Sequence, residues 1–375
     1  MGANVRPEGP GRPAGGRPPP QRVPVLGNVA RVSRARIVLG RIERRFEAAR
    51  RSRWGDKLPA DFRIVPYVGH GSAGPDGAGR VVVRGRVLDD AEPAETMAGE
   101  TPWAAVRRSL AGFLTTELPD VRLRVEVGGA SAEVVTDDDG YFRAELAGAD
   151  LAAPWTDGTV RLATPYRGVH DARARVRIRV SDERAELGVL SDVDDTILVT
   201  GVQRTWTMLR QTLAGSALTR TSFEGAPELY RALAGPDERN PFFYVSSSPW
   251  NLHDFLLGFL AHRGFPAGPV LLRDLVTGGH KRERIKEVLA LHPGLRFVLI
   301  GDSAEHDPEI YAETVRRHPG RILAVCIREV RLDPGDGRVE TVTAGWDDTV
   351  PFVLAPDTAT MVTQLRRLGL LPPAG

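Results

Sequence analysis

Four groups of polar residues in this sequence have the types and spacing needed for chemistry. They read SDVDDT at residues 191–196, SSSPWN at 246–251, GGHK at 278–281 and GDSAEHD at 301–307. Three of them directly follow short apolar segments, and the GGHK group opens a predicted helix. Together they supply carboxylates, hydroxyls and one lysine, which is the set that phosphoryl transfer requires.

The chemical argument rests on charge. A carboxylate nucleophile splits phosphate ester hydrolysis into two easier displacements through an acyl phosphate. Because the attacking group and the phosphate are both anions, Mg²⁺ held by further carboxylates is needed to neutralise them. A second carboxylic acid two residues on can protonate the leaving alkoxide and then activate water. A hydroxyl and a lysine can hold the remaining phosphoryl oxygens.

These groups can cooperate only if the fold brings them together. From residue 187 onward, short apolar runs at 187–190, 242–245, 270–272, 297–300 and 322–327 alternate with helix-like segments. This order is typical of an α/β domain with a parallel sheet that is buried on both faces. In such sheets ligands bind at the carboxyl ends of the strands, so we expect the four groups to converge in one crevice.

The preceding part of the chain has the period of two that is typical of strands. Alternating apolar and charged residues over 121–127 and 175–180, with further short runs between 62 and 166, predict an antiparallel β-sandwich. The DDDG sequence at 137–140 lacks the later carboxylate of a calcium-binding loop and is predicted to be a hairpin turn.

The sequence therefore predicts four regions. They are a disordered Pro/Gly-rich leader at 1–30, a basic amphipathic helix at 31–59, the β-sandwich at 60–184 and the α/β domain at 185–375, with a last helix at 358–368. The arginine-rich helix face at 31–53 can contact an anionic membrane as a peripheral anchor, or remain solvated while the apolar stripe packs on a neighbouring domain.

Composition excludes several classes of protein. Lys+Arg number 50 against 48 Asp+Glu, so the chain lacks the basic excess of a dedicated nucleic-acid binder. The single cysteine, Cys326, excludes an internal disulfide framework and fits a reducing compartment. No run is long enough to span a membrane and no secretory signal is apparent, so we expect a cytoplasmic protein.

The motifs also resemble a known family. DVDDT at 192–196 matches the DxDxT motif of the haloacid dehalogenase (HAD) superfamily, and Ser246, Lys281 and Asp302 resemble its later motifs in order. The surrounding residues are similar to the catalytic domain of actin-patch-type phosphatidate phosphatases, and RIVPY at 63–67 with GHG at 69–71 resembles the start of bacterial members. The resemblance implies a HAD-like fold.

The resemblance implies a role for each motif residue. Asp192 would be the nucleophile and a Mg²⁺ ligand, and Asp194 the general acid/base with its backbone carbonyl on the metal. Thr196 would orient the loop, and Ser246 or its neighbour Ser247 would bind the phosphoryl group. Lys281 would neutralise the phosphoryl charge. Asp302 would bind Mg²⁺, with Asp307 as a further ligand or a neighbour of one; Glu305 and His306 have open roles.

Simpler structural roles are available for several residues in these groups. One serine of 246–248 can cap the following helix, although a first-turn lysine is disfavoured by the helix dipole, which favours a functional role for Lys281. Lys281 is also one of only three lysines, with Lys57 and Lys286. We predict that His253 and His262 are surface residues and that Trp250 packs rather than binds substrate.

The resulting hypothesis is a Mg²⁺-dependent phosphatase that converts phosphatidate to diacylglycerol and phosphate. The spacings between motifs leave no room for a large cap domain, which predicts an open site. One alternative is a HAD phosphatase for a sugar phosphate or phosphoprotein. Another is a membrane- or partner-binding module with a vestigial HAD domain, although the complete motif set argues against decay.

Overall fold

The computed structural model describes residues 59–74, 78–89, 116–193, 225–273, 280–303, 306–329, 342, 346 and 349–373. The predicted leader, the basic helix and the two motif residues Asp194 and Thr196 lie outside these residues. Leu58–Gly375 forms one compact unit, and everything below concerns it. No described helix has the length and apolarity needed to cross a membrane.

The first part of this unit is a nine-stranded, mainly antiparallel sheet around its own apolar core. Its strands are β1 Phe62–Pro66, β2 Gly69–Ser72, β3 Gly79–Asp89, β4 Thr116–Glu117, β5 Arg122–Val127, β6 Ala130–Val135, β7 Tyr141–Ala149, β8 Trp155–Leu162 and β9 Arg173–Ser181. The period-two predictions are confirmed by strands such as β5, whose apolar residues are buried and whose charged residues face outward.

Hydrogen bonds link all nine strands into one sheet, in which β3 pairs with four other strands, so the division into two packed sheets stays a prediction. One pairing departs from the antiparallel expectation, because β2 runs parallel to β9. The 137–140 segment is a turn in which Gly140 takes a φ of 72° and Asp137 Oδ1 accepts from the Asp139 and Tyr141 amides. It is not a hairpin turn, since β6 pairs with β5 and β7 pairs with β3.

The second part alternates strands and helices, as predicted. Its elements are β10 Gly188–Asp192, α1 Ala226–Ala234, β11 Phe242–Pro249, α2 His253–His262, β12 Val270–Arg273, α3 His280–Leu291, β13 Phe297–Asp302, α4 Asp307–Arg317, β14 Ile322–Arg328, β15 Phe352–Ala355 and α5 Thr358–Arg367. The six strands form a parallel sheet in the order β12-β11-β10-β13-β14-β15. Apolar clusters cover both faces of this sheet, which explains the continuous apolar runs.

The strand order places β10 between β11 and β13, so the three strands that carry candidate residues are neighbours. The register pairs Asp192 with Val245, directly before Ser246, and Ser191 with Ile300, two residues before Asp302. Because parallel strands end at the same edge of a sheet, these polar residues meet there. Strand β15, which the sequence analysis did not resolve, extends the far side of the sheet beside β14.

Candidate active site

Three carboxylates meet at the carboxyl edge of the parallel sheet. Asp192 ends β10, Asp302 ends β13 and Asp307 begins α4, and each offers an oxygen within 4.8 Å of the others. The side chains of Asp192 and Asp307 are 3% and 0% exposed. Three carboxylates at this separation repel one another unless cations join them.

Lys281, in the first turn of α3, supplies one such cation. Its Nζ lies 2.7 Å from Asp192 Oδ1 and also forms a short ion pair with Asp307 Oδ1. The Lys281 side chain is 5% exposed. The lysine thus spans from the end of β10 to the start of α4, and its position at an unfavourable helix N-terminus is explained by these two carboxylates.

The close approach of α4 to β13 depends on Gly301. Asp307 Oδ2 accepts a hydrogen bond of 3.2 Å from the Asp302 amide, which turns the loop back onto the strand end. A Cβ on Gly301 would lie only 2.2 Å from the same Asp307 oxygen. Only glycine therefore permits this carboxylate to lie against the strand.

Burial makes the ionised form of Asp307 costly. Desolvation raises the pKa of Asp307 to about 6, and nearby Asp302 adds to the increase while Lys281 opposes it. A bound cation would favour the ionised form again. Oxygen ligands of this kind fit a hard divalent cation such as Mg²⁺, so the donor set agrees with the predicted metal.

Ser246 lies within β11, one residue after Val245, which pairs with Asp192 in the register. Its side chain is buried, and its Oγ accepts a hydrogen bond of 3.0 Å from the Ser248 amide. Ser247 is half-buried. The structure thus puts Ser246 next to the carboxylates in the register, and the choice between Ser246 and Ser247 as the phosphate ligand stays a prediction.

The remaining residues singled out in the sequence are placed as follows. His253 is buried at 2% exposure, so the prediction of a surface position is wrong; its ring packs on Tyr67 with centroids 4.1 Å apart. His262 is exposed, as predicted. Trp250 is buried and stacked, in agreement with a packing role. His306 is exposed and 3.8 Å from Glu309, and Glu305 lies outside the described residues.

Two residues that line the same cavity as Asp192, Tyr230 and Arg328, were not found from the sequence. Ser191 Oγ lies 2.8 Å from the Tyr230 hydroxyl of α1, and burial raises the pKa of this phenol to about 12. Arg328, at the end of β14, lines a cavity of about 80 Å³ that reaches from Asp192 and Asp302 into the apolar side of the sheet. The residue type of Arg328 did not draw attention, because arginine is frequent in this chain. Its position directly after the apolar run 322–327 could have identified it.

Comparison with known proteins agrees with this geometry. Residues 187–329 match the family model described as the catalytic domain of phosphatidate phosphatase APP1. This match confirms the resemblance that the motifs predicted. The matched segment contains every strand end that carries a described candidate residue.

Two relatives show how far the similarity extends. The chain is 32% identical over 152 residues to the phosphatidate phosphatase APP1 of Saccharomyces cerevisiae, which covers 38% of this chain and 26% of that protein. It is 29% identical over 161 residues to an uncharacterized protein of Schizosaccharomyces pombe, covering 40% and 26%. The chain thus matches about a quarter of the length of each relative.

Proposed function

We propose that this protein is a Mg²⁺-dependent phosphatase that hydrolyses a phosphomonoester, with phosphatidate as its substrate. The observation that carries the proposal is the convergence of three buried carboxylates and Lys281 on neighbouring strand ends. The match of residues 187–329 to a phosphatidate phosphatase catalytic domain supports the substrate class. A fold of the HAD type, and a cytoplasmic or peripheral membrane location, belong to the same proposal.

In the proposed reaction, Asp192 attacks the phosphorus and the bond to the leaving alkoxide breaks. Asp194 gives its proton to that alkoxide, so diacylglycerol leaves as the alcohol, and the phosphoryl group remains on Asp192. Asp194 then takes a proton from water as the water attacks this acyl phosphate, which releases phosphate and restores both carboxyl groups. Lys281 and Ser246 hold the phosphoryl oxygens throughout.

Asp192, Asp302 and Asp307, with the backbone carbonyl of Asp194, are the proposed ligands of Mg²⁺. When bound, the ion neutralises the charge of the phosphoryl group and of the carboxylates around it.

The proposal is tested with the full chain, Mg²⁺ and a panel of phosphomonoesters that includes phosphatidate in mixed micelles. We expect phosphate release that a chelator abolishes, with phosphatidate hydrolysed most efficiently. Release from none of the esters would reject the enzyme, whereas a preference for a sugar phosphate or phosphoprotein would reject only the substrate.

Asp192→Asn tests the nucleophile within the same assay. The amide keeps the shape but removes the attacking charge, so we expect turnover to fall at least ~10³-fold with the thermal unfolding midpoint nearly unchanged. Retained turnover would remove Asp192 from this role. Cys326→Ala is a suitable control, because Cys326 is buried within β14, pairs with Ile300 in the register and is not part of the carboxylate cluster.

A further inference from the structure

The region of the nine-stranded sheet contacts helix α3, which carries Lys281, and the short turn that directly follows β11, the strand that carries Ser246. Tyr67, just after β1, stacks on Trp250 with ring centroids 4.8 Å apart and planes 5° apart. Tyr67 is 3% exposed and belongs to the apolar core of the parallel sheet rather than to that of its own sheet. Trp250 lies two residues after Ser248 and begins the turn that follows β11, so this stack holds the chain directly after that strand.

A second contact holds helix α3. Glu287 accepts two hydrogen bonds from Arg84 of β3, at 2.7 and 2.5 Å, and its carboxylate lies 3.4 Å from His70 Nε2 of β2. One residue beyond the helix, His292 Nδ1 lies 2.7 Å from Ser181 Oγ of β9, and His292 Nε2 lies 3.3 Å from His70 Nδ1. Three strands of the sheet thus bind one helix.

Arg284 connects the two contacts. Its guanidinium lies 3.3 Å from Glu287 Oε2 and 5.8 Å from the centre of the Trp250 ring, and its Nε donates to the Leu272 carbonyl. The chain of contacts from Tyr67 through Trp250 and Arg284 to Glu287 is therefore continuous.

The position of Lys281 depends on this chain of contacts. Glu287 lies six residues after Lys281 on the same helix, which is about 9 Å along its axis. Because an α-helix moves as a rigid rod over this length, a shift at Glu287 is transmitted to the ammonium group. A displacement of about 1 Å at a catalytic group can cost ~10²-fold in rate.

Stability alone does not account for the Glu287 contact. A buried ion pair roughly balances the desolvation of its partners, and an apolar pair of the same size is often at least as stable. Its fixed bidentate geometry, by contrast, specifies one orientation of the helix relative to the sheet.

We infer that the nine-stranded sheet is a working part of the active site, in which Tyr67 and the Arg84–Glu287 pair position the Ser246 motif and Lys281. The inference rests on the proposed function and deepens it. Tyr67, Arg84 and Glu287 are positioning residues, since they act through Trp250 and helix α3. The sheet is then neither a separate binding module nor a detachable cap.

The test uses Glu287→Gln and Tyr67→Leu in the full chain, with Tyr67→Phe and Trp155→Phe as controls. We measure kcat and KM for p-nitrophenyl phosphate with Mg²⁺, and the thermal unfolding midpoint. We expect kcat to fall about 10- to 100-fold in both, with KM changed less than about threefold. Tyr67→Phe keeps the stacked ring and should retain the wild-type kcat.

Trp155→Phe is the control. Trp155 also joins the nine-stranded sheet to the α/β part of the chain, but at a place distant from the motif residues. Trp155 Nε1 lies 3.4 Å from Glu238 Oε2, in the short turn before β11 and thus at the opposite end of that strand from Ser246. We expect its kcat to stay within about twofold of wild type. Equal losses of kcat in Trp155→Phe and Glu287→Gln would overturn the inference, because they would indicate general destabilisation.

A double-mutant cycle separates positioning from folding. If Glu287 acts through Lys281, adding Glu287→Gln to Lys281→Met should lower kcat less than about twofold further. If Glu287→Gln lowers kcat by the same factor in Lys281→Met as in the wild type, the inference is overturned.

The affinity for orthovanadate, measured by calorimetry in the presence of Mg²⁺, tests the inference without requiring turnover. Glu287→Gln and Tyr67→Leu should weaken binding at least about tenfold, and unchanged binding would contradict the inference even in an inactive protein. Absence of turnover in the wild type with weakened vanadate binding in the variants would reject the proposed function and leave the positioning role supported.

Discussion

At the scale of single residues, two positions of the site, Lys281 and Gly301, each accept very few residue types. Lys281 meets Asp192 and Asp307 at once, and its ammonium group is compact enough to reach both from the first turn of a helix. Gly301 is equally constrained, because Asp307 occupies the space that a side chain would need.

Gly301→Ala tests the second constraint. The added Cβ would meet Asp307 Oδ2 at 2.2 Å and displace the carboxylate, so we expect a weaker Mg²⁺ affinity and at least a tenfold loss of kcat. Mg²⁺ titrations of activity give both quantities.

Gly258→Ala is the matched control. Gly258 lies within α2, and no atom lies within 4 Å of a Cβ placed there. We expect unchanged activity and a free energy of unfolding higher by about 0.5–1 kcal/mol. Normal Mg²⁺ affinity in Gly301→Ala would contradict the assigned packing of Asp307.

At the scale of elements, helix α3 joins the two sheets through a cluster of buried polar groups. Desolvation lowers the pKa values of His70 and His292, and in His292 the neighbouring His70, Arg321 and Arg179 lower it further. Two hydrogen-bonded imidazoles in this surrounding remain neutral. Arg84 and His70 outweigh desolvation at Glu287 and hold the pKa of that carboxyl well below its usual range.

These shifts predict how stability depends on pH. Below the ordinary histidine pKa of 6.5, His70 and His292 bind protons in the unfolded chain but stay neutral in the folded protein. The free energy of unfolding therefore decreases as the pH is lowered. Glu287 has a lowered pKa, and its contribution is lost only in stronger acid, below the ordinary value of 4.5. We therefore expect the thermal unfolding midpoint to decrease as the pH is lowered from 7.5 to 5.5.

His292→Gln identifies the origin of this dependence. The variant removes one of the buried imidazoles, so its midpoint should change less between pH 7.5 and 5.5 than that of the wild type. His262→Gln is the control, because His262 is exposed. The same pH dependence in wild type and His292→Gln would contradict the explanation.

At the scale of the whole molecule, catalysis and membrane contact are predicted to reside in different parts of the chain. All described site residues lie in the unit Leu58–Gly375, whereas the predicted basic helix precedes it. The domain boundary at 184/185 stays a prediction, and the contacts of Tyr67 with Trp250 and of Arg84 with Glu287 join residues on its two sides.

Deletion of residues 1–57 tests this division. We expect kcat for p-nitrophenyl phosphate to stay within about twofold, while sedimentation with phosphatidylcholine vesicles containing phosphatidylserine decreases, because each arginine near such a surface contributes about 1 kcal/mol. Vesicles of phosphatidylcholine alone are the control. Equal sedimentation of both proteins would reject the membrane role of the helix.

The sequence by itself determined most of the elements and predicted which residues form the site. Period two predicted strands such as β5 and β9, continuous apolar runs predicted the buried parallel strands, and polar groups after those runs predicted Asp192, Ser246 and Asp302. These signals are local, because burial on one or both faces of a strand is recorded in consecutive residues. The resemblance to a family added roles that spacing alone does not give.

Only the tertiary structure decided which distant residues hold the site in place. His70 and His292 are 222 positions apart, Arg84 and Glu287 are 203 apart, and no local period links them. For the same reason the sequence misplaced His253, which is buried because Tyr67 of another sheet covers it. Contacts between separate sheets depend on how whole surfaces fit, and short stretches of sequence do not record that fit.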